Sequence, residues 1–204
     1  ELAISEMEKQ AEMSPLDARF PLFLGVTYEA YGLYDDAKIS LEKALELSPA
    51  KQSIMHELGQ NAFLRGNSTE AVAYLKKAYE LETNSKESAL IYAAGLIRAG
   101  RSADADTILA PYIETGEAAD PRVLSAYEST KEIGKATALW ESKIRANPTD
   151  GQSYFTLAAI YYSAGNSSKA IATLEAAKKA IPSIASQVDP VIEQIRNGTA
   201  VVAQ

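Results

Sequence analysis

The sequence predicts an all-α protein built as a solenoid of helix pairs, and three observations carry that expectation. One pattern of small and large residues recurs about every 34 residues along most of the chain. Within each period the apolar residues fall at helical spacing. Glycine and proline punctuate the pattern at fixed places, where helices stop.

The stretch LGVTYEAYGLYDDAKISLEKALELSP, Leu24 to Pro49, displays the period. Shifted by 34 residues, Leu24, Gly25, Gly32, Ala37, Leu41, Ala44 and Leu47 become Leu58, Gly59, Gly66, Ala71, Leu75, Ala78 and Leu81. A further shift reaches Gly100, Ala105 and Leu109. Near the other end, Leu157, Ala158, Tyr161, Gly165, Ala170, Leu174, Ala177 and Pro182 repeat the set, preceded by Ala136, Trp140 and Pro148. Only the step from Ala105 to Ala136 breaks the period, at 31. Each period divides into two helices. Gly32, Gly66, Gly100 and Gly165 end the first, because a left-handed residue costs least there as glycine. Pro49, Pro148 and Pro182 end the second, because proline cannot continue it. Two antiparallel helices on a short turn must approach closely, so Gly or Ala on one faces Ala and a large apolar residue on the other.

The elements then follow in order over 1–204, expected as one domain. Residues 1–14 read as a helix with an approximate stripe of Leu2, Ile4, Met7, Ala11 and Met13, placed as the second helix of a half unit. Repeats follow at 18–51, 52–85, 86–116, 117–150 and 151–184. The fourth lacks the inter-helix glycine and has Lys143 at the second alanine place. Residues 185–197 form a capping helix stopped by Gly198, with Pro190 as an alternative start capped by Asp189. Residues 198–204 are a frayed tail.

Composition narrows the function. Cysteine is absent, which excludes disulfides, thiolate metal sites and cysteine nucleophiles. No run of about 18 apolar residues exists, so no membrane insertion by this segment is expected. Net charge is -7, and residues 1–50 hold ten Asp/Glu against four Lys/Arg while the rest is nearly balanced. Nucleic-acid binding needs a basic stripe, so no nucleic acid is expected as partner. The first residue is Glu, which suits a processed chain or a fragment of a longer one.

The Leu-Gly, Tyr, Gly, Ala, large apolar, Ala and Pro series over 34 residues resembles the tetratricopeptide repeat (TPR) family. The resemblance covers about 80% of the chain. It implies a right-handed α-solenoid whose first helices line a concave groove for a protein or peptide partner. The matching groove places include Arg19, Leu22, Glu29, His56, Gln60, Phe63, Glu87, Ile97, Arg98, Phe155 and Tyr162. Family members that hold chaperone C-terminal carboxylates use Lys, Asn and Arg at places that here carry Leu22, Val26, Glu57, Glu87 and Ile91. That clamp is absent.

No catalytic, cofactor or metal site emerges. His56 is the only histidine, and a metal or a general base usually needs partners beside it. EIGKAT at 132–137 loosely resembles a phosphate loop, but its upstream glycine is replaced by Ser129 and no strand precedes it. The triplets at Asn67 and Asn166 fit helix capping as well as glycosylation. Trp140 falls at a core place. The expectation is a non-catalytic interaction scaffold. The segment from Phe23 through Gly59, followed by KKAYEL, further resembles the TPR region of bacterial O-antigen ligase-like membrane proteins. That resemblance implies tethering to a bacterial inner membrane through a parent chain whose chemistry lies elsewhere. The alternatives are a stand-alone adaptor, or a homo-oligomer formed by covering the open N-terminal helix face.

Overall fold

The computed structural model describes residues 2–200, which form twelve α-helices and no strand. They are α1 (Leu2–Met13), α2 (Arg19–Ala30), α3 (Tyr34–Leu47), α4 (Gln52–Leu64), α5 (Ser68–Leu81) and α6 (Lys86–Arg98). After them come α7 (Ser102–Ile113), α8 (Pro121–Ser129), α9 (Ile133–Ala146), α10 (Gly151–Ser163), α11 (Ser167–Ala180) and α12 (Ala185–Arg196). The side chain of Leu2 and the tail at 201–204, both part of the sequence expectations, lie outside the described residues. The chain divides into two compact bodies between Ala105 and Asp106.

In the first body the close-approach argument is realised twice with the same partners. A Cβ built on Gly25 would lie 2.6 Å from Leu41 Cγ, and one on Gly59 would lie 2.7 Å from Leu75 Cδ2. Glycine on the first helix therefore receives leucine from the second helix of its own pair, with Ala37 and Ala71 fully buried at the crossing. Leu75 also presses on Gly95 of α6, so it locks α5 to the helices on both sides. Leu41, Ala44, Ile54 and Leu58 form a buried cluster that carries α3 onto α4.

Polar contacts reinforce these joints. Arg65 on the α4–α5 turn pairs with Asp35 and Glu70 at 3.1 Å each, and Lys38 reaches Glu70 at 2.6 Å. Asn67 caps α5 by accepting the Glu70 backbone N–H, and Asn166 caps α11 by accepting that of Lys169. Both asparagines thus do the turn chemistry anticipated for them. The helix α1 packs on α2 with Ile4, Met7 and Ala11 half-buried, whereas Met13 at its end is exposed and leaves the expected stripe.

The second body keeps the helix-pair plan over α8–α9 and α10–α11. Trp140 is 3% exposed, in the core as expected. The inter-helix glycine missing from 117–150 is replaced in conformation by Lys131, the one non-glycine with positive φ among the described residues, at 62°. Gly32, Gly66, Gly100 and Gly165 adopt φ of 74–76° at the corresponding turns. The shortened period is absorbed before α8. There Gly116, φ 75°, sits so near α9 that an added Cβ would lie 2.7 Å from Lys143 Cα. Ser142 Oγ donates to the Ile113 carbonyl at 2.7 Å beside it. Lys143 stands at the second alanine place of the pattern because this loop, rather than a helix, lies across that crossing.

Pro190 does not open a new helix. It lies inside α12, which runs on because Val188, Ile192 and Ile195 bury one face. Asp189 pairs with Lys178 at 2.5 Å instead of capping. The capping helix ends at Gly198, φ 68°, as anticipated.

Candidate partner-binding surface

In the first body, α2, α4 and α6 are the first helices of their pairs and carry most of the anticipated groove residues. On α4, Glu57 and Asn61 stand four residues apart and share a face. Asn61 is fully buried, and its Nδ2 donates to the Tyr34 carbonyl at 3.0 Å. The Glu29 carboxylate of α2 lies beside the same amide. Burial pushes the Glu29 carboxyl above its ordinary range; the neighbouring Asn61 amide pulls it down, and the Glu57 charge pushes it up again. Burial also raises Glu57. Two acceptor atoms here, Glu29 Oε1 and Asn61 Oδ1, are buried without a donor.

Beside this acidic cluster the α4 and α6 residues meet. Arg98 lays its guanidinium 4.1 Å from the centre of the Phe63 ring, a cation–π contact. Its Nη1 donates to Gln60 Oε1 at 3.0 Å. Gln60 and Arg98 are exposed and Phe63 is half-buried. Phe23 and Val26 on α2 and Leu64 on α4 are exposed apolar side chains.

The other anticipated residues are more dispersed. Arg19 is exposed but engaged by Asp17 at 2.6 Å, and that pairing holds the Asp17 carboxyl down at about 2. Leu22 is half-buried against the Leu41–Leu58 cluster. His56 lines a shallow hollow of 560 Å³ with Gln52, Ser53 and Leu81. Glu87 is exposed in the first turn of α6. Ile97 must be corrected: it is fully buried, because α6 is apolar around its whole circumference from Ala89 to Ile97, and it offers no surface to a partner.

In the second body, Phe155 and Tyr162 are half-buried on α10. A separate hollow of 490 Å³ opens between α9, α10 and α11, walled by Ile144, Tyr154, Tyr161 and Ala176. The sequence pattern did not single out Asn61. Its signal is a polar residue in the apolar series Ile54, Leu58, Asn61, at helical spacing.

The TPR family model matches residues 22–51, 53–85 and 151–184. YrrB, described as a TPR protein with an unusual peptide-binding site, is 17% identical over 86% of this chain and 92% of that chain, with TM-score 0.51. PilW, a type IV pilus biogenesis factor, is 17% identical over 90% of this chain and 87% of that chain, TM-score 0.53. Yeast Tom70 is 15% identical over 96% of this chain and 43% of that chain, TM-score 0.56. No curated protein sequence matches the chain. The fold is therefore all-α, of the TPR solenoid class. The three matched segments are tetratricopeptide repeats.

Proposed function

We propose that this chain is a non-catalytic scaffold that binds a protein or peptide through the face carried by its first helices. The observation that supports it most directly is the α4–α6 contact. Phe63, Gln60 and Arg98 form a pre-arranged aromatic, amide and guanidinium group on a rigid frame. Interfaces concentrate their energy in such aromatic and arginine anchors. Phe155 and Tyr162 on α10 are the corresponding contacts of the second body.

The finer part of the proposal is the setting. The likeness of residues 23–59 to O-antigen ligase-like proteins supports a role as the TPR module of a larger bacterial membrane protein. Among the described residues no helix is long and apolar enough to cross a membrane, so any anchoring belongs to other sequence of such a parent. An antibody against this segment should then detect it in the membrane fraction of the source cells, on a longer chain. Detection only as a free chain in the supernatant would sink that setting and favour a stand-alone adaptor.

The binding function is tested by pull-down from source-cell lysate with wild type and a Phe63→Ala/Tyr162→Ala variant of matched circular dichroism. A protein kept by wild type and lost by the variant supports the scaffold. Identical profiles reject this face, and mass that rises with concentration would then favour self-assembly.

A further inference from the structure

The second body leaves open a joint that the first body fills from within. By repeat register, the 490 Å³ hollow between α9, α10 and α11 corresponds to the joint of α3, α4 and α5. There Tyr74 of α5 packs against the Leu41–Leu58 cluster, its hydroxyl donates to Glu42 at 3.3 Å, and Lys77 lies over its ring. In α11, Thr173 and Ala176 stand in the places of Tyr74 and Lys77. Tyr161 of α10 takes up the corresponding carboxylate, donating to Glu141 at 2.6 Å. The ring and the lysine stem have no counterpart on α11, whose side of the hollow runs from Lys169 through Thr173 to Ala176. Ile144 and Leu157 remain as apolar walls. The volume lies within the range of about 300–1,000 Å³ that binding pockets occupy.

Charge is the second, independent observation. At the first joint Lys38 of α3 holds Glu70 of α5 at 2.6 Å. At the second, Thr137 and Lys169 stand in those two places, so the internal pair is gone and a cation is left. Arg145, in the last turn of α9, also lines the hollow. Arg145 and Lys169 are exposed, and neither forms an ion pair among the described residues. Since α9 and α11 are both second helices and run the same way, the two cations stand toward opposite ends of the hollow. Glu141, the carboxylate in the lining, is already engaged by Tyr161. Complementarity therefore calls for an occupant that is aromatic in the middle and anionic at its ends.

We propose that this hollow is a second binding site, for an acidic peptide segment that inserts one aromatic side chain. The ring takes the space that Tyr74 fills in the first body, against Ile144 and Leu157. Carboxylates on either side of it in the peptide meet Arg145 and Lys169. The site shares no residue with the Phe63, Gln60 and Arg98 group and goes beyond the face proposed above.

The test uses short end-blocked, fluorescein-labelled peptides with one central phenylalanine between pairs of glutamates. One control has glutamine for glutamate, the other alanine for phenylalanine. Fluorescence anisotropy with the full chain should show the parent peptide binding about tenfold tighter than either control. Thr173→Tyr gives α11 the residue that α5 carries at that place, and should abolish binding. Arg145→Gln/Lys169→Gln changes exposed side chains only, and should erase the preference for glutamate over glutamine. Circular dichroism of both variants should match wild type. Phe63→Ala should bind the parent peptide as wild type does, which separates this site from the first-helix face. No binding by the parent peptide, equal binding of the glutamate and glutamine peptides, or undiminished binding by Thr173→Tyr overturns the site. An unaltered glutamate preference in Arg145→Gln/Lys169→Gln overturns it too. Loss of binding in Phe63→Ala assigns the peptide to the first-helix face instead, and the lysate pull-down judges that face separately.

Discussion

The Tyr28 hydroxyl donates a hydrogen bond to the Glu8 carboxylate across 2.6 Å, tying α2 to α1. Tyr161 makes the same bond to Glu141 at 2.6 Å, again with a partner 20 residues earlier, tying α10 to α9. Since α9 is the second helix of a repeat, α1 occupies the place of a second helix, in register with the pattern. The bond to Glu8, with burial, pushes the Tyr28 phenol up to about 12.

Tyr28→Phe should therefore loosen α1 selectively. The lost bond is exposed, so global stability should fall by only about 1 kcal/mol. Amide exchange in α1 should quicken by about tenfold while α4 and α5 stay protected. Uniform acceleration along the chain would show that α1 is not held by this contact.

Lys131→Gly should stabilise the protein. Lys131 holds φ 62° at the place where four other turns have glycine, and an L side chain in that region costs about 1 kcal/mol. The gain should be of that size in urea unfolding, with the slope unchanged. A loss of stability would mean that the lysine side chain supplies more than its backbone costs.

Gly25→Ala should cost about 1–3 kcal/mol, since its Cβ would fall 2.6 Å from Leu41 Cγ and the leucine must give way. Gly116→Ala should cost at least as much. There the obstacle is the Lys143 backbone, which cannot rotate aside, and φ is 75°. Thermal melts of both variants decide the order.

Acidity should act in two directions. Glu29 and Glu57 have raised folded-state pKa values, so their ionisation opposes folding. As pH falls from 7 through those folded values, protonation relieves the opposition and stability rises. Glu70 has a lowered value, set chiefly by the hydrogen bond from Lys38; at Asp120 burial is the largest single influence and pushes the value up, but the hydrogen bonds and charge of Arg122 together outweigh it and the value is lowered there too. Their contribution is present above the ordinary carboxylate range and is lost as pH falls further through their folded values. The melting temperature should pass through a maximum on the acid side of neutrality, and Glu29→Gln/Glu57→Gln should flatten the rising limb. A profile that only falls from pH 7 downward, in wild type and variant alike, would contradict this.

The helix pairs were legible because their causes are local and repeat. Gly25 predicts a close crossing, and Gly59 predicts it again at the same offset. Features that depend on what lies across a crossing were not. Lys131 carries no mark of a left-handed residue except its register with glycine in the other turns. Pro190 reads as a helix start until Val188, Ile192 and Ile195 are seen to bury one continuous face. Ile97 sits at a groove place by repeat register, but α6 is apolar from Ala89 to Ile97, and Ile97 itself is fully buried. The acidic cluster was half visible: Glu29 was among the groove residues, whereas Asn61 looked like an ordinary polar residue until its burial was known.

The Gly–Leu lock has a consequence for how such a chain can change length. Leu75 fills the space left by Gly59 within its own pair and also bears on Gly95 of the next helix. The receiving half of that second joint, Gly95, belongs to the next repeat, and one period earlier residues 52–85 hold Asn61 at that place. A tandem copy of 52–85 spliced in after residue 85 would therefore set Asn61 against the preceding Leu75, where the existing joint has glycine. Lengthening the array by duplication thus turns on one position per joint, the small residue that receives the leucine of the repeat before it.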